Sequence, residues 1–353
     1  MTKVSSKLNF FCRVCSSNNI ERFTLSHYGF PGKNPNNWIS FFCFDCGSVS
    51  DFTKQNEIDY ADGTFRNRDY HDLESNQKEV LPPVDPWSVL IFRRWVHIYK
   101  SLKNSTNIFS NAEIKMLDYG SYNGFLPYAL SQKHKIKSYV ADLDPNGLKM
   151  AKFLGSNTIN IGESEIDEKN FDLITIVHVL EHLDKPIDQV KKLKNLLSDE
   201  GVLYAEVPNL YGFPLQTNTH KIAFTEQSII KMFKSAGFEI LDFGSNSSPK
   251  EILKLGHVYS HDKENLYIVC CKKETNLSLN LPNNEIPKSI QDFKQELKLI
   301  YAKLMIKKIS YIILRPSLGH IKRSIIFFMY GVVDILTLKL FKISLISKLF
   351  KQK

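Results

Sequence analysis

The sequence predicts an α/β protein: a mostly parallel sheet with helices on both faces, a four-cysteine lobe ahead of it and a basic helical tail behind. Strand and helix patterns alternate from about residue 112 to residue 272, the signature of a parallel sheet wrapped by helices. Four of the six cysteines form two Cys-x-x-Cys pairs within the first 46 residues. Residues 280–353 hold twelve Lys and two Arg against four carboxylates, a local charge of +10. The whole chain carries +9, so residues 1–279 sum to −1. Basicity therefore belongs to the tail and argues only weakly for nucleic acid on the body. The chain has 353 residues, 43% hydrophobic and 24% charged. It is long enough for two or three domains with a real core, which excludes a disordered, collagen-like or polytopic membrane protein.

Residues 1–56 read as the cysteine lobe, with turns at Pro31-Gly32 and Asn34-Pro35. Residues 57–111 read as a polar linker followed by a helical lid. From Pro86 to about Leu102, Val89, Phe92, Val96 and Tyr99 recur at helical spacing, and Pro86 suits a first helical turn. Residues 112–275 carry the alternation. Strands are expected at Ile114–Tyr119, Ser138–Asp142, Thr158–Ile161, Phe171–Val177, Gly201–Val207 and Glu264–Cys271, with Phe238–Gly244 extended before the last. Helices follow the first strand to about Gln132 and occupy Pro145–Phe153, Pro186–Leu197 and Thr225–Ala236, the last ended by Gly237. Cys270 and Cys271 fall in the final strand and read as core.

Residues 276–353 open as an Asn-, Ser- and Pro-containing linker. Ile290, Phe293, Leu297, Ile300 and Leu304 then mark an amphipathic helix, and a second apolar stretch runs from Ile321 to Phe350. Its longest uncharged run, Ser324–Val333, has ten residues where a bilayer needs about 20. Residues 290–350 are expected to lie on an anionic membrane surface or to pack on a partner or second copy. Residues 1–11 lack a long apolar stretch and a cleavage site, which implies a reducing, cytoplasmic setting, with the inner membrane face as a peripheral address.

The chemistry concentrates in four places. In Asp118-Tyr119-Gly120-Ser121-Tyr122-Asn123-Gly124, Gly120 permits a tight turn and close approach of a ligand, and Gly124 opens the next helix. The nicotinamide pattern G-x-G-x-x-G is absent because Tyr122 holds the place of its second glycine. At the end of the second strand, Asp142 or Asp144 can accept from both ribose hydroxyls of an adenosine cofactor, Asp144 being the better placed; the other role open to either is a helix N-cap. The run His178-Val179-Leu180-Glu181-His182 follows the fourth strand, and His220 follows the fifth. A histidine there can take a proton from an acceptor; Glu181 can line the acceptor pocket, and His178 and His182 can equally serve as structural residues. Finally, Cys12-x-x-Cys15 and Cys43-x-x-Cys46, 27 residues apart, supply four thiolates for a closed tetrahedral site of the structural zinc type.

Together these motifs resemble a class I S-adenosylmethionine-dependent methyltransferase, over roughly residues 112–272. The resemblance implies a Rossmann-like methyltransferase sheet that binds S-adenosylmethionine through Asp118, Gly120, Ser121, Gly124, Asp142, Asp144 and His178. It implies catalytic roles for His220, Glu181 and His178. With the Cys12, Cys15, Cys43 and Cys46 lobe in front, the chain is similar to sugar methyltransferases that act on nucleotide-linked deoxysugars. Their Tyr-x-Glu-His cluster has no counterpart, since Thr217-Asn218-Thr219-His220 stands there, and their second Rossmann-like domain is replaced by the basic tail. The resemblance thus implies transfer to an oxygen rather than a carbon of a saccharide or nucleotide-sugar. An RNA methyltransferase with a zinc finger, and a zinc-scaffolded binding protein without activity, are the competing readings.

Overall fold

The structure is a computed structural model that describes residues 10–23, 40–52, 86–212, 220–246, 264–272, 279, 281–282 and 285–296, with the backbone alone for 86–93. Its main sheet is built from β4 (Ile114–Tyr119), β5 (Ile136–Asp142), β6 (Asn157–Asn160), β7 (Phe171–Val177), β8 (Leu197–Pro208), β10 (Glu239–Asn246) and β11 (Asn265–Cys271). The spatial order is β10-β11-β8-β7-β4-β5-β6. The five strands from β8 to β6 run parallel, and β11 is antiparallel to both its neighbours. The chain winds outward from β4 to β6, then returns to the other side of β4 with β7. The topological switch point therefore lies between the carboxyl ends of β4 and β7, where open α/β sheets take ligands.

Helices α2 (Phe125–Ser131), α3 (Pro145–Phe153), α4 (Pro186–Leu196) and α5 (Glu226–Ser235) make the crossovers. The central strands alternate little in polarity because both faces are covered: Leu117, Leu173, Ile174, Leu203 and Ala205 have no exposed surface. On one face Val190, Leu193, Ile229 and Phe233 cover the sheet. On the other, helix α1 (Pro86–Ser105) lays Ile98 and Leu102 on Met116, Leu130 and Tyr204. From residue 94 on, this helix thus packs on the sheet through Ile98 and Leu102, whereas Val96 of the expected stripe is exposed.

The cysteine lobe is less self-contained than its sequence span suggests. Strands β1 (Ile20–Phe23), β2 (Ser40–Cys43) and β3 (Val49–Asp51) pair antiparallel, and the fourth strand of this small sheet is β9 (Ile222–Ala223), from the far end of the α/β domain. The Asp51 N–H donates to the Lys221 carbonyl at 2.9 Å, and the Thr225 hydroxyl to the Cys46 carbonyl at 3.3 Å. A lobe this small gains a core by sharing one: Phe42, Val49 and Ala223 are buried with Leu210.

The start of the tail completes that cluster. Residues 290–296 are helical, and Phe293 stacks on Phe42 with ring centroids 4.0 Å apart. Ile290 and Phe293 are buried, so the first turns of the expected amphipathic helix face the chain's own lobe rather than a membrane. Residues 297–353, and with them the rest of the membrane or self-association expectation, lie outside the described residues, as do Thr217-Asn218-Thr219 and the 57–83 linker. Among the described residues no helix is long and apolar enough to cross a membrane.

Removing the stacked ring tests this docking. Phe293→Ala should cost about 3–5 kcal/mol locally. Limited proteolysis should then cut the chain after residue 272 many times faster than wild type, while α1–β8 stay protected.

Candidate active site

Four residues with left-handed backbone gather at the switch point. They are Gly120 (φ 71°), Tyr122 (φ 60°) and Gly124 (φ 72°) after β4, and His178 (φ 55°) after β7. Such backbone strains a residue with a side chain by roughly 1–2 kcal/mol, so specific contacts must hold Tyr122 and His178 in place. The Tyr122 N–H donates to Asp142 Oδ2 at 2.6 Å, and the His178 N–H to the Glu206 carbonyl at 2.9 Å. The glycines are required by contact as well as by φ. A Cβ on Gly120 would meet Val179 Cγ2 at 2.3 Å, and one on Gly124 would meet Ala151 Cβ at 2.9 Å. The room that Gly120 leaves is thus filled by the neighbouring segment rather than held open for a ligand.

Asp118 is buried beneath this turn and accepts a hydrogen bond from the Thr175 hydroxyl at 2.6 Å. Burial raises its pKa to about 6, against the opposing pull of Ser121 and Thr175. The buried Ser121 hydroxyl lies beside that carboxyl yet completes no hydrogen bond of ordinary geometry among the described residues. At the end of β5, Asp142 accepts from the N–H groups of Tyr122 and, at 2.9 Å, of Asp144. Burial raises its pKa too.

Two of the expected site residues have partners inside the protein. Asp144, the better-placed ribose acid in the sequence, is the N-cap of α3: its Oδ1 accepts from the Asn146 and Gly147 N–H groups at 2.9 and 3.3 Å, ahead of Pro145 at the first helical position. Asp142 is the carboxylate tied into the glycine turn. His178, expected to touch cofactor or acceptor, spends both ring nitrogens inside the protein. Nδ1 lies 3.2 Å from Glu181 Oε1 and Nε2 lies 3.2 Å from Glu206 Oε1. Burial and Arg94 push the His178 pKa down, but the two carboxylates outweigh them and leave it raised.

Glu206 is the residue that sequence reasoning passed over. It has no exposed surface, and its carboxylate receives Arg94 Nε at 3.0 Å, the Tyr204 hydroxyl at 2.9 Å and Asn246 Nδ2 at 2.7 Å besides His178. Burial alone would raise its pKa, yet Arg94, His178 and Asn246 hold it down at about 2. The available signals were a glutamate inside an apolar strand and an arginine on a helix that faces a sheet.

The β7 side of the switch point carries a short turn of helix, Leu180–His182, with His220 against it. The Lys221 N–H donates to the Glu181 carbonyl at 2.7 Å, which seats His220 against the turn. The His182 and His220 rings meet edge to face with centroids 4.9 Å apart. Glu181 is buried; burial works against its charge, but His178, His182 and His220 bring its pKa down to about 2. His220 is depressed to about 4, chiefly by burial and then by the other two imidazoles. It is a neutral imidazole at pH 7, able to accept a proton but a weaker base than an ordinary histidine. The lobe reaches this edge as well: Arg13 pairs with Asp184, which also takes Lys221 Nζ at 2.7 Å.

The four cysteines of the lobe converge with their sulfurs within 4.8 Å of one another. The two knuckles match in detail. The Cys12 and Cys43 N–H groups donate to the Ser17 and Ser48 carbonyls at 2.9 Å, while Ser16 and Gly47 (φ 58° and 74°) donate back to the Cys12 and Cys43 carbonyls. Cys12–Cys46 and Cys15–Cys43 are 3.6 Å apart, close to the roughly 3.8 Å edge of a tetrahedron with 2.3 Å metal–sulfur bonds. The other thiols lower the pKa of Cys12, while Cys43 and Cys46 are raised: four sulfurs this close cannot all ionise without a cation between them.

Residues 92–242 match the family model described as a methyltransferase domain. That match spans less than half of the chain and supports an enzyme that transfers a methyl group. No curated protein matches the sequence. Among solved structures, the chain is similar to an S-adenosylmethionine-dependent methyltransferase from Clostridium acetobutylicum, with 19% identity over 54% of this chain and 92% of that one and a TM-score of 0.37. It is also similar to the Burkholderia thailandensis 1,6-didemethyltoxoflavin-N1-methyltransferase, with 17% identity over 55% and 93% and a TM-score of 0.35. A third likeness is the Haloferax volcanii complex of the Trm112 methyltransferase activator and a methyltransferase, with 12% identity over 54% and 96% and a TM-score of 0.42.

The Glu206 network has a pH signature. A carboxylate held near 2 when folded and about 4.3 when unfolded adds stability that is complete above pH about 4.3 and lost as pH falls toward 2. Glu206→Gln should cost about 3–5 kcal/mol at pH 7 by leaving Arg94 without its charge partner. Urea unfolding across this pH range should also show a shallower acid-side decline in the variant than in the wild type.

Proposed function

We propose that the chain transfers a methyl group from S-adenosylmethionine to a hydroxyl of a saccharide or nucleotide-sugar. The observation that carries this reading is the meeting of two half-sites at the β4–β7 switch point: the glycine turn with Asp142 on one side, and Glu181, His182 and His220 on the other. The residues fit the cofactor. Asp142 is the carboxylate for the ribose hydroxyls, since each of its oxygens keeps a lone pair beyond the N–H bond it accepts. The Ser121 hydroxyl adds a donor, and Asp118 supports the turn from below. The cofactor supplies a methyl group on a cationic sulfur, so the protein's work is alignment and exclusion of water.

On the acceptor side, His220 is assigned to proton removal and Glu181 to the pocket wall, while His178 becomes a positioning residue clamped between Glu181 and Glu206. Cys12, Cys15, Cys43 and Cys46 hold a structural zinc ion with no coordination position left for chemistry. Its role is to fix the lobe whose shared strand β9 directly follows His220 and Lys221. The oxygen acceptor is favoured because His220 stands without the tyrosine and glutamate of the carbon-methylating pattern. The lobe beside the acceptor edge supports a saccharide-linked substrate, in keeping with the resemblance of the sequence.

Two measurements test the reading. Calorimetry with S-adenosylhomocysteine should show at least about tenfold weaker binding in Asp142→Ala. Asp144→Ala should bind near normally but lose about 1 kcal/mol of stability with its cap; the reverse pattern returns the ribose to Asp144. Radiolabelled methyl transfer should then be run on nucleotide-linked hexoses and deoxysugars beside unmodified RNA. Label should enter the sugars as an O-methyl group, and His220→Ala should slow it by about 10²-fold at unchanged cofactor affinity. Label confined to RNA, or found on sugar carbon, overturns the acceptor assignment.

A further inference from the structure

We infer that Glu181, His182 and His220 form a second metal site, an open one for a divalent transition-metal ion on the acceptor side of the pocket. One carboxylate oxygen and one nitrogen from each imidazole lie within 4.8 Å of one another. Glu181 is 1% exposed, and its Oε2 has no hydrogen-bond partner among the described residues. A buried, ionised carboxylate oxygen without a donor is costly unless something cationic completes it. The other oxygen, Oε1, is already turned to His178 at 3.2 Å, and lies 3.9 Å from His182 Nε2. Oε1 is thus the oxygen nearest His182, and Oε2 is the one left without a donor.

The donor set selects the ion. Two imidazoles with one carboxylate suit zinc, cobalt, iron or nickel better than calcium or magnesium, which favour all-oxygen shells. Ligand atoms about 2.1 Å from a common ion sit roughly 3–3.5 Å apart, so binding would draw the three side chains inward by rotation. Three protein ligands leave a position for an acceptor oxygen, unlike the cysteine site, which is filled by sulfur on all four sides. The backbone already fixes the ligands: Glu181 and His182 share one turn of helix, and the Lys221 N–H bond to the Glu181 carbonyl brings His220 to them.

This deepens the proposed function and, for its chemical role, rests on it. A hydroxyl touching the ion loses its proton more readily. The O–H bond breaks with the proton passing to water, the oxygen's electron pair forms the bond to the methyl carbon, and the carbon–sulfur bond breaks with its pair returning to sulfur. With the ion bound, His220 serves by holding it, and the ion takes over from His220 the release of the acceptor's proton.

Cobalt titration of the metal-stripped full chain tests the site, because the two donor sets have different spectra. Wild type should bind about two equivalents: one with near-ultraviolet thiolate charge-transfer bands from the cysteine site, and a second with visible ligand-field bands alone. Glu181→Gln and His182→Ala should each keep the thiolate equivalent and weaken the second at least about tenfold. S-adenosylhomocysteine binding in each variant reports that the fold is intact. Binding of the thiolate equivalent alone by wild type, or a second equivalent equally tight in both variants, overturns the site. A second equivalent that both variants lose upholds the site even where no saccharide is methylated; that result removes the acceptor assignment and leaves the metal.

Discussion

Glu206 has no contact with water, so its charge must be answered inside the protein, and four parts of the chain are arranged to answer it. Arg94 comes from α1, Tyr204 from the same strand, Asn246 from the edge strand β10, and His178 from the loop after β7. Asn265 of β11 extends the set by donating to Asn246 at 3.0 Å. Loss of Arg94 would leave this buried carboxylate without its permanent countercharge, while the other donors satisfy its remaining lone pairs. Its consequence for the site is direct. His178 is held by ring and backbone, Glu181 by His178, and the cluster of Glu181, His182 and His220 inherits a fixed geometry from Glu206.

The cysteine lobe contributes to that geometry from the opposite direction. A four-cysteine lobe so small has little core, and it gains one by pairing β3 with β9 and by stacking Phe42 on Phe293. Strand β9 is two residues long and could not stand alone. Flanked by the lobe on one side and the Glu181 carbonyl on the other, it sets the position of His220. The capping box of α5 continues the same connection, since Thr225 caps the helix and also donates to the Cys46 carbonyl. The fold of the cysteine cluster and the position of His220 are thus mechanically one problem.

Much of the fold was legible because β4, α3 and β7 carry their own start and stop signals and match their expected spans, Ile114–Tyr119, Pro145–Phe153 and Phe171–Val177. The glycine turn was legible for the same reason: Gly120 and Gly124 are local requirements. Other features were not, because they are settled by contacts between distant segments. Sequence favours Asp144 for a ligand, but an aspartate before a proline at a helix start is equally a cap, and only the approach of the Tyr122 N–H singles out Asp142. Arg94 carries no local signal and reaches Glu206 only because α1 lies on the sheet, and Glu206 gives no hint of its four partners. The membership of β9 in the cysteine lobe depends on a pairing across about 170 residues and leaves no local trace.

The two halves of the site are consequently built from different materials. The cofactor half is mostly backbone: left-handed residues, a helix cap, and carboxylates that hold N–H groups. These are set by glycines and by close contact with α3, where Gly147 has Tyr122 atoms within 3 Å of any added Cβ. A substitution there strains main chain and affects folding and cofactor together. The acceptor half is side chain: Glu181, His182 and His220, carried on a short turn and a connection that the lobe steadies from outside. Its chemistry can change by exchanging a few side chains without disturbing a strand. A sheet of this kind can keep its glycine turn while the side chains on the facing turn are exchanged.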